Sequence, residues 1–354
     1  MKCVSIIQIQ WRGPMSNIKV LGIDLAKDVF QLHGTDARGK RVLKKRLTRE
    51  KLIEFVANLA PCLIGFEACL GAHYWARVFE QMGHTVKIMA PKFVKPYIKS
   101  NKNDANDAAG IAEAVTRPDM RFVAVKSIGQ QDVLLLHRAR ELVLKQKTAL
   151  VNQIRGLLIE FGIVIPKGVS RISQLIQILE DNKMRLTERS IAVFTRMYEQ
   201  FKNYNEQAEL YDRDIEQISA QDSMCKEIMK IEGVGVITAS AIIATVGDAK
   251  TFKNGRQMAA WLGLVPKQHS SGNTIQLSGI SKRGDSYVRK LLVHGARSVV
   301  NNCEKKTDKK SKWVADKKNR LGYNKSTVAL ANKNARIIWA IMATGECYRK
   351  SIVA

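Results

Sequence analysis

The sequence predicts a layered α/β domain with a mixed sheet over its first third, followed by a mainly helical remainder. Two patterns carry that expectation. Up to Ser127, short apolar runs alternate with segments of helical period, whereas beyond it apolar residues recur at helical spacing only. A third observation is length: 354 residues exceed the usual span of one hydrophobic core, and 45% hydrophobic content with only seven prolines describes a folded chain.

Val20–Asp24 and Val29–His33 read as strands, and the turn signal Asp36-Ala37-Arg38-Gly39 leads into a third, Arg41–Leu47. Glu50 to Leu59 has helical period. A buried strand Cys62–Phe66 follows, then a helix His73–Met82 ended by Gly83, and a strand Thr85–Met89. This order is the ribonuclease-H-like (RuvC-like) one, assigned here to residues 16–127. Residues 1–15 read as a tail with Met15 as a second candidate start, because Gln8, Gln10 and Arg12 interrupt its apolar stretch and rule out a signal peptide.

Residues 128–222 are expected to form long antiparallel helices or a coiled coil, with Leu134, Leu135, Ala139, Leu142, Ile154 and Leu158 among the apolar positions. Pro166 and Gly168 break the pattern, and a second helical run from Ile172 to Ile218 completes a hairpin. Residues 223–354 make the last, mostly helical region. There Ile231-Glu232-Gly233-Val234-Gly235, ahead of Thr238–Ile243, has the form of a helix-hairpin-helix turn. Gly233 and Gly235 would let the backbone turn and present amides to a phosphate; the alternative is a plain glycine cap between packed helices.

A formal net charge of +26, from 58 Lys+Arg against 32 Asp+Glu, points to a polyanionic partner, with nucleic acid the first expectation. Residues 281–350 hold 18 Lys+Arg and 5 Asp+Glu, a net +13 and half of the whole excess, so the phosphate-binding surface is placed there. No basic amphipathic anchor, lipidation motif or membrane-length apolar run supports a membrane partner. The six cysteines lack CxxC spacing, which argues against zinc and disulfides and for a reducing cytoplasm.

Asp24 and Glu67 each end an apolar strand, and Asp104 and Asp107, three residues apart, share one face if they lie on a helix. Four converging carboxylates repel one another unless a hard divalent cation joins them, so the set implies Mg²⁺ or Mn²⁺ and two-metal phosphodiester chemistry. A second constellation surrounds Ser271 in His269-Ser270-Ser271-Gly272, where Lys267, His269, Lys282 and Arg283 are near enough in sequence to neutralise a phosphate; read from residues alone the signal is weak and the first reading is a plain polar loop.

These motifs together resemble the DEDD-type insertion-sequence transposases, the bridge-RNA-guided serine recombinases of bacterial mobile elements. Gly22-Ile23-Asp24-Leu25-Ala26-Lys27 matches the family's first acid motif, Phe66-Glu67-Ala68 the second, and Lys102 to Ala108 its K-x-D-x-x-D-A. Ile231–Gly235 matches I-x-G-[IV]-G, and Ala259 to Pro266 the stretch that leads to the catalytic serine, which falls on Ser271, with Ser270 adjoining it. Cys69-Leu70-Gly71-Ala72-His73-Tyr74 departs from the usual T-G-x-Y after the glutamate. The resemblance implies DNA cutting and rejoining through a phosphoserine, with Asp24, Glu67, Asp104 and Asp107 holding Mg²⁺. It also implies a noncoding guide RNA, donor and target DNA, homodimers or homotetramers with a shared site, and a bacterial cytoplasm with nucleoid association during activity. Lys27, Lys102, Gly233, Gly235, Lys267, Lys282 and Arg283 are the candidate nucleic-acid contacts. The alternatives are a Holliday-junction-resolving or other ribonuclease-H-like endonuclease, which needs the acids but not Ser271, and a non-enzymatic basic scaffold.

Overall fold

The computed structural model describes residues 17–99, 103–272 and 274–349, so the tail expected at residues 1–15 lies outside the described residues. The chain divides between Ser127 and Ile128 into two compact units.

The first unit is mixed α/β. Its elements are β1 (Val20–Asp24), β2 (Val29–Thr35), β3 (Arg41–Thr48), α1 (Arg49–Ala57), β4 (Leu63–Glu67), α2 (Ala72–Gln81), β5 (Thr85–Met89), α3 (Pro91–Val94), α4 (Asp104–Ala114) and β6 (Phe122–Val123). Among the described residues they form one sheet of order β3-β2-β1-β4-β5-β6. β1, β4 and β5 run parallel, while β2, β3 and β6 join antiparallel. The expected strands therefore recur within two residues at either end; the short β6 was not anticipated, since two residues leave no periodicity to read.

Strand alternation sends successive side chains to opposite faces. Leu21, Ile23, Ile64 and Phe66 point into the larger core, where Phe30, Trp75 and Phe79 from β2 and α2 meet with ring centroids 5.2 and 5.4 Å apart. Val20 and Leu63 face the other way, toward Ile111, Ala114 and Val115 at the end of α4. Gly22 and Gly65 lie on that second face. A Cβ at Gly22 would stand 2.3 Å from the Ala108 carbonyl oxygen, and one at Gly65 would stand 2.8 Å from the Val115 Cβ. Two adjacent strands are thus stripped of side chains where α4 crosses them, and the helix lies directly on the backbone.

The second unit is mostly helical. α5 (Ile128–Ile159) and α7 (Glu188–Gln221) are its longest elements, with α6 (Leu175–Asp181) between them. Arg140 pairs with Asp212 and Lys147 lies 5.8 Å from the Phe201 ring, so α5 and α7 run antiparallel as the sequence indicated. The helical run expected from Ile172 to Ile218 is nonetheless broken. α6 ends at Asp181, and α7 starts afresh at a capping box in which the Thr187 hydroxyl accepts from the Ser190 amide and the Ser190 hydroxyl from the Thr187 amide. A residue that caps a helix cannot also continue one.

Beyond them lie α8 (Ser223–Met229), α9 (Val236–Val246), α10 (Gly255–Trp261), β7 (Pro266–Ser271), β8 (Thr274–Ile280), α11 (Ser286–Asn302), α12 (Lys309–Leu321) and α13 (Tyr323–Thr344). His137 of α5 is buried against this group, its Nδ1 3.0 Å from the Tyr287 hydroxyl and its Nε2 3.0 Å from the Ser240 hydroxyl.

Two predictions follow from the packing. Gly22→Ala should destabilise the full chain by roughly 2 kcal/mol or more in urea unfolding, because the obstacle is backbone, whereas Gly156→Ala, in the last turn of α5 with open space around its Cβ, should be neutral or stabilising. Burial, and next the Arg140 charge, push the His137 pKa down to about 4 against an ordinary 6.5, so the unfolded chain binds the extra proton first. Stability should therefore fall as pH drops from 6.5 toward 4, and the slope should diminish in His137→Gln.

Candidate active site

Alternation that places Gly22 and Gly65 under α4 also brings Asp24 and Glu67, two residues further along neighbouring parallel strands, out on that same face at the strand ends. The third and fourth acids come from the helix. Asn103, not Asp104, is its N-cap: the Asn103 side chain accepts from the Asn106 amide at 2.9 Å, which leaves Asp104 as the first helical residue and Asp107 one turn later. Both acids sit in the first turn, where the helix dipole favours negative charge.

Carboxylate oxygens of Asp24, Asp104 and Asp107 lie within 4.8 Å of one another; Glu67 stands outside that group. One oxygen of Asp107 is buried with no hydrogen-bond partner. An orphaned, buried carboxylate oxygen beside two further carboxylates is the donor set of a hard divalent cation, which takes oxygen ligands at about 2.1 Å and offsets the cost of burying charge. These residues fit Mg²⁺ or Mn²⁺. Cys69 reports the same field: burial first, then the negative charges of Asp24 and Glu67, hold its thiol pKa up, so both acids act on one spot at the mouth of the strands. Lys27 is exposed just after β1, and Lys102 lies outside the described residues.

In the second unit Ser271 ends β7 and pairs with Thr274 across a hairpin whose turn includes Gly272 at φ 54°. Every residue of β7 is exposed, as are all of β8 but its last. Alternation puts His269 and Ser271 on one face and Ser270 on the other, where the Ser270 hydroxyl accepts from the Gln268 side-chain amide at 3.0 Å. Of the adjoining serines, Ser271 therefore shares its face with a candidate proton acceptor. At the hairpin's foot, Lys282 adopts φ 53°, and the Arg283 carbonyl is held by the Arg289 guanidinium at 2.8 Å. Lys282, Arg289, Lys290, His294 and Arg297 line a small groove along α11, a basic surface that sequence charge alone located only to within 70 residues.

The two glycines of the helix-hairpin-helix motif serve different ends. Gly233, at φ 83°, is pressed against α11: its Cβ would meet the Gly295 carbonyl oxygen at 2.7 Å, and a Cβ on Gly295 would meet that of Gly233 at 1.8 Å. Close packing of two backbones accounts for it. Gly235 has open space around it and forms the N-cap of α9 without any side-chain cap.

Two transposase family models match the chain. The family model for DEDD-type IS110 transposases matches residues 21–163, and that described as "Transposase IS116/IS110/IS902 family" matches residues 225–312. The chain is 44% identical to a probable family 20 transposase of Pseudomonas aeruginosa, over 94% of this chain and 99% of that one. It is 45% identical to the transposase for insertion sequence element IS1111A of Coxiella burnetii (96% and 93%), and 38% identical to that for IS1328 of Yersinia enterocolitica (95% and 100%).

The orphaned oxygen of Asp107 leads to a direct measurement. Titration calorimetry with Mn²⁺ should show binding to the purified chain that weakens at least about tenfold in Asp107→Asn. The exposed Asp119→Asn and the remote Ser271→Ala should bind as the parent does. Loss of the helix cap in Asn103→Ala should cost about 1 kcal/mol of stability and loosen Mn²⁺ binding with it.

Proposed function

The chain belongs to the IS110/IS116 family of DEDD transposases, and on that premise we propose that it moves an insertion sequence by cutting and rejoining DNA through a covalent serine link. The observation that carries the reading is the convergence of Asp24, Asp104 and Asp107 around a buried, unpartnered carboxylate oxygen in a strongly basic chain. The β3-β2-β1-β4-β5 order, with acids at the ends of β1 and β4, supports a ribonuclease-H-like domain for residues 16–127. Glu67, at the end of the neighbouring parallel strand, would complete the acid set. A bound Mg²⁺ or Mn²⁺ would neutralise the carboxylates and polarise the oxygens of the scissile phosphate.

Ser271 then attacks phosphorus. Its Oγ gives up a proton, with His269 on the same face as acceptor, a serine–phosphate bond forms, and the displaced deoxyribose oxygen leaves with a proton. Attack by the hydroxyl of another DNA end reverses the chemistry, frees Ser271 and rejoins the strands, so no external energy source is needed. Lys267, Lys282 and Arg283 would steady the phosphate charge, and Lys27, Lys102 and the amides at Gly233 and Gly235 would hold backbones. Residues 128–222 act as a helical spacer and 223–354 as the serine-bearing domain. The acid domain of one protomer would serve the serine domain of another in a homodimer or homotetramer.

A noncoding guide RNA would read donor and target by base pairing, which suits a protein whose excess charge can grip backbones of any sequence. A Holliday-junction-resolving endonuclease would use the same acids without the serine. The two differ in one product. Incubated with end-labelled element DNA and Mg²⁺, the parent chain should form a protein–DNA adduct stable to denaturant. Ser271→Ala should form none and lose strand exchange by at least about a thousandfold, while Asp107→Asn should bind DNA yet fail to cut. Full-rate cutting by Ser271→Ala would leave only the endonuclease reading. Expression with the flanking noncoding DNA should copurify one discrete RNA, and a smear of random fragments would remove RNA guidance.

A further inference from the structure

Within the second unit, α10, α12, α13 and the segment Glu346–Arg349 line a cavity of about 1140 Å³. We infer that it binds a single-stranded nucleotide segment, its phosphate among Lys310, Lys333 and Arg336 and its base against Trp313, a reading that rests on the nucleic-acid chemistry proposed above.

Charge is the first argument. Among the described residues, six cations line it (Arg256, Lys309, Lys310, Lys333, Arg336 and Arg349) against three acids, Glu232, Asp308 and Glu346. Glu232 pairs through one oxygen with Lys306 at 3.3 Å while its other oxygen is buried without a hydrogen-bond partner, and Asp308 caps α12 by accepting from the Lys310 and Ser311 amides and the Ser311 hydroxyl. Neither Lys333 nor Arg336 has an ion pair among the described residues. Burial and then Arg336 lower the Lys333 pKa, and burial is also the main cause lowering that of Lys310. Cations held together and away from water are relieved by an anion.

Aromatic surface is the second. Trp313 is half-buried, and the Lys333 ammonium lies 4.3 Å from its ring centroid. A base that stacks on indole while its phosphate meets the adjoining ammonium uses both at once, the pairing by which single strands are held without sequence preference. Size is the third: a volume just above the usual range of ligand pockets (roughly 300–1,000 Å³) has room for unstacked nucleotides.

Fluorescence anisotropy on the full chain, with labelled ten-nucleotide oligo-dT and oligo-U and a 20-base-pair duplex, tests this. Lys333→Ala and Trp313→Leu should each bind single strands about tenfold more weakly, with duplex affinity and the exposed Lys325→Glu control within about twofold of the parent. Lys333→Ala should also lower the salt slope by about 0.7, one phosphate contact on a single strand. Should Trp313→Leu fail to fold, as a thermal melt would reveal, Lys333→Ala decides alone. Weakening confined to oligo-dT assigns the strand as DNA, and to oligo-U as RNA. Unchanged affinity for both oligomers overturns the inference. A parent chain that cuts element DNA but binds neither oligomer overturns it while the transposase chemistry stands; pocket variants that lose binding while Asp107→Asn still cuts would overturn the acid-site chemistry and leave the pocket.

Discussion

Where β1 passes under α4, no side chain separates the two backbones. The Ala108 carbonyl occupies the space that any residue but glycine would need at position 22, and Val115 does the same above Gly65. Dispersion and exclusion of water favour such closeness, and it has a geometrical result. Helix acids reach strand acids only if the helix rides low, so the position of Asp104 and Asp107 relative to Asp24 is set by two absent methyl groups. The Asn103 cap fixes where the helix begins, and with it which way its first turn presents its carboxylates.

Much of this was legible in the sequence, for a definite reason. A strand that is buried on both faces and carries a charged residue at its end writes both facts into a short continuous apolar run closed by an acid, and Asp24 and Glu67 each close such a run. Spacing of three on a helix is equally plain for Asp104 and Asp107. What escaped was what depends on neighbours distant in sequence. Nothing local tells that Gly22 is spared a side chain for α4 or that Gly233 is spared one for Gly295, 62 positions later in the chain. The break between α6 and α7 was missed because Leu175, Leu179 and Leu186 keep an apolar rhythm through it while packing on α5 and α7 as separate short pieces.

The second unit also explains why a basic chain need not be uniformly sticky. Arg140–Asp212, part-buried, and Lys290–Glu141, exposed, tie α5 to α7 and α11 and neutralise charge between the helices. Such pairs contribute little stability when exposed, but they fix orientation. The charge that remains unpaired concentrates on α11 near the hairpin and around α12 and α13, two surfaces with different character: one an open groove of cations, the other cations backed by indole.

Ser271 stands on a hairpin that is exposed on both faces. A two-stranded ribbon with neither face against a core is marginal by itself, and Ile275 and Leu277 are 72% and 63% exposed on it. On the serine chemistry proposed above, the attacking oxygen would be carried on an exposed ribbon, so that contact with DNA or with a second protomer would be what gives it a fixed surrounding.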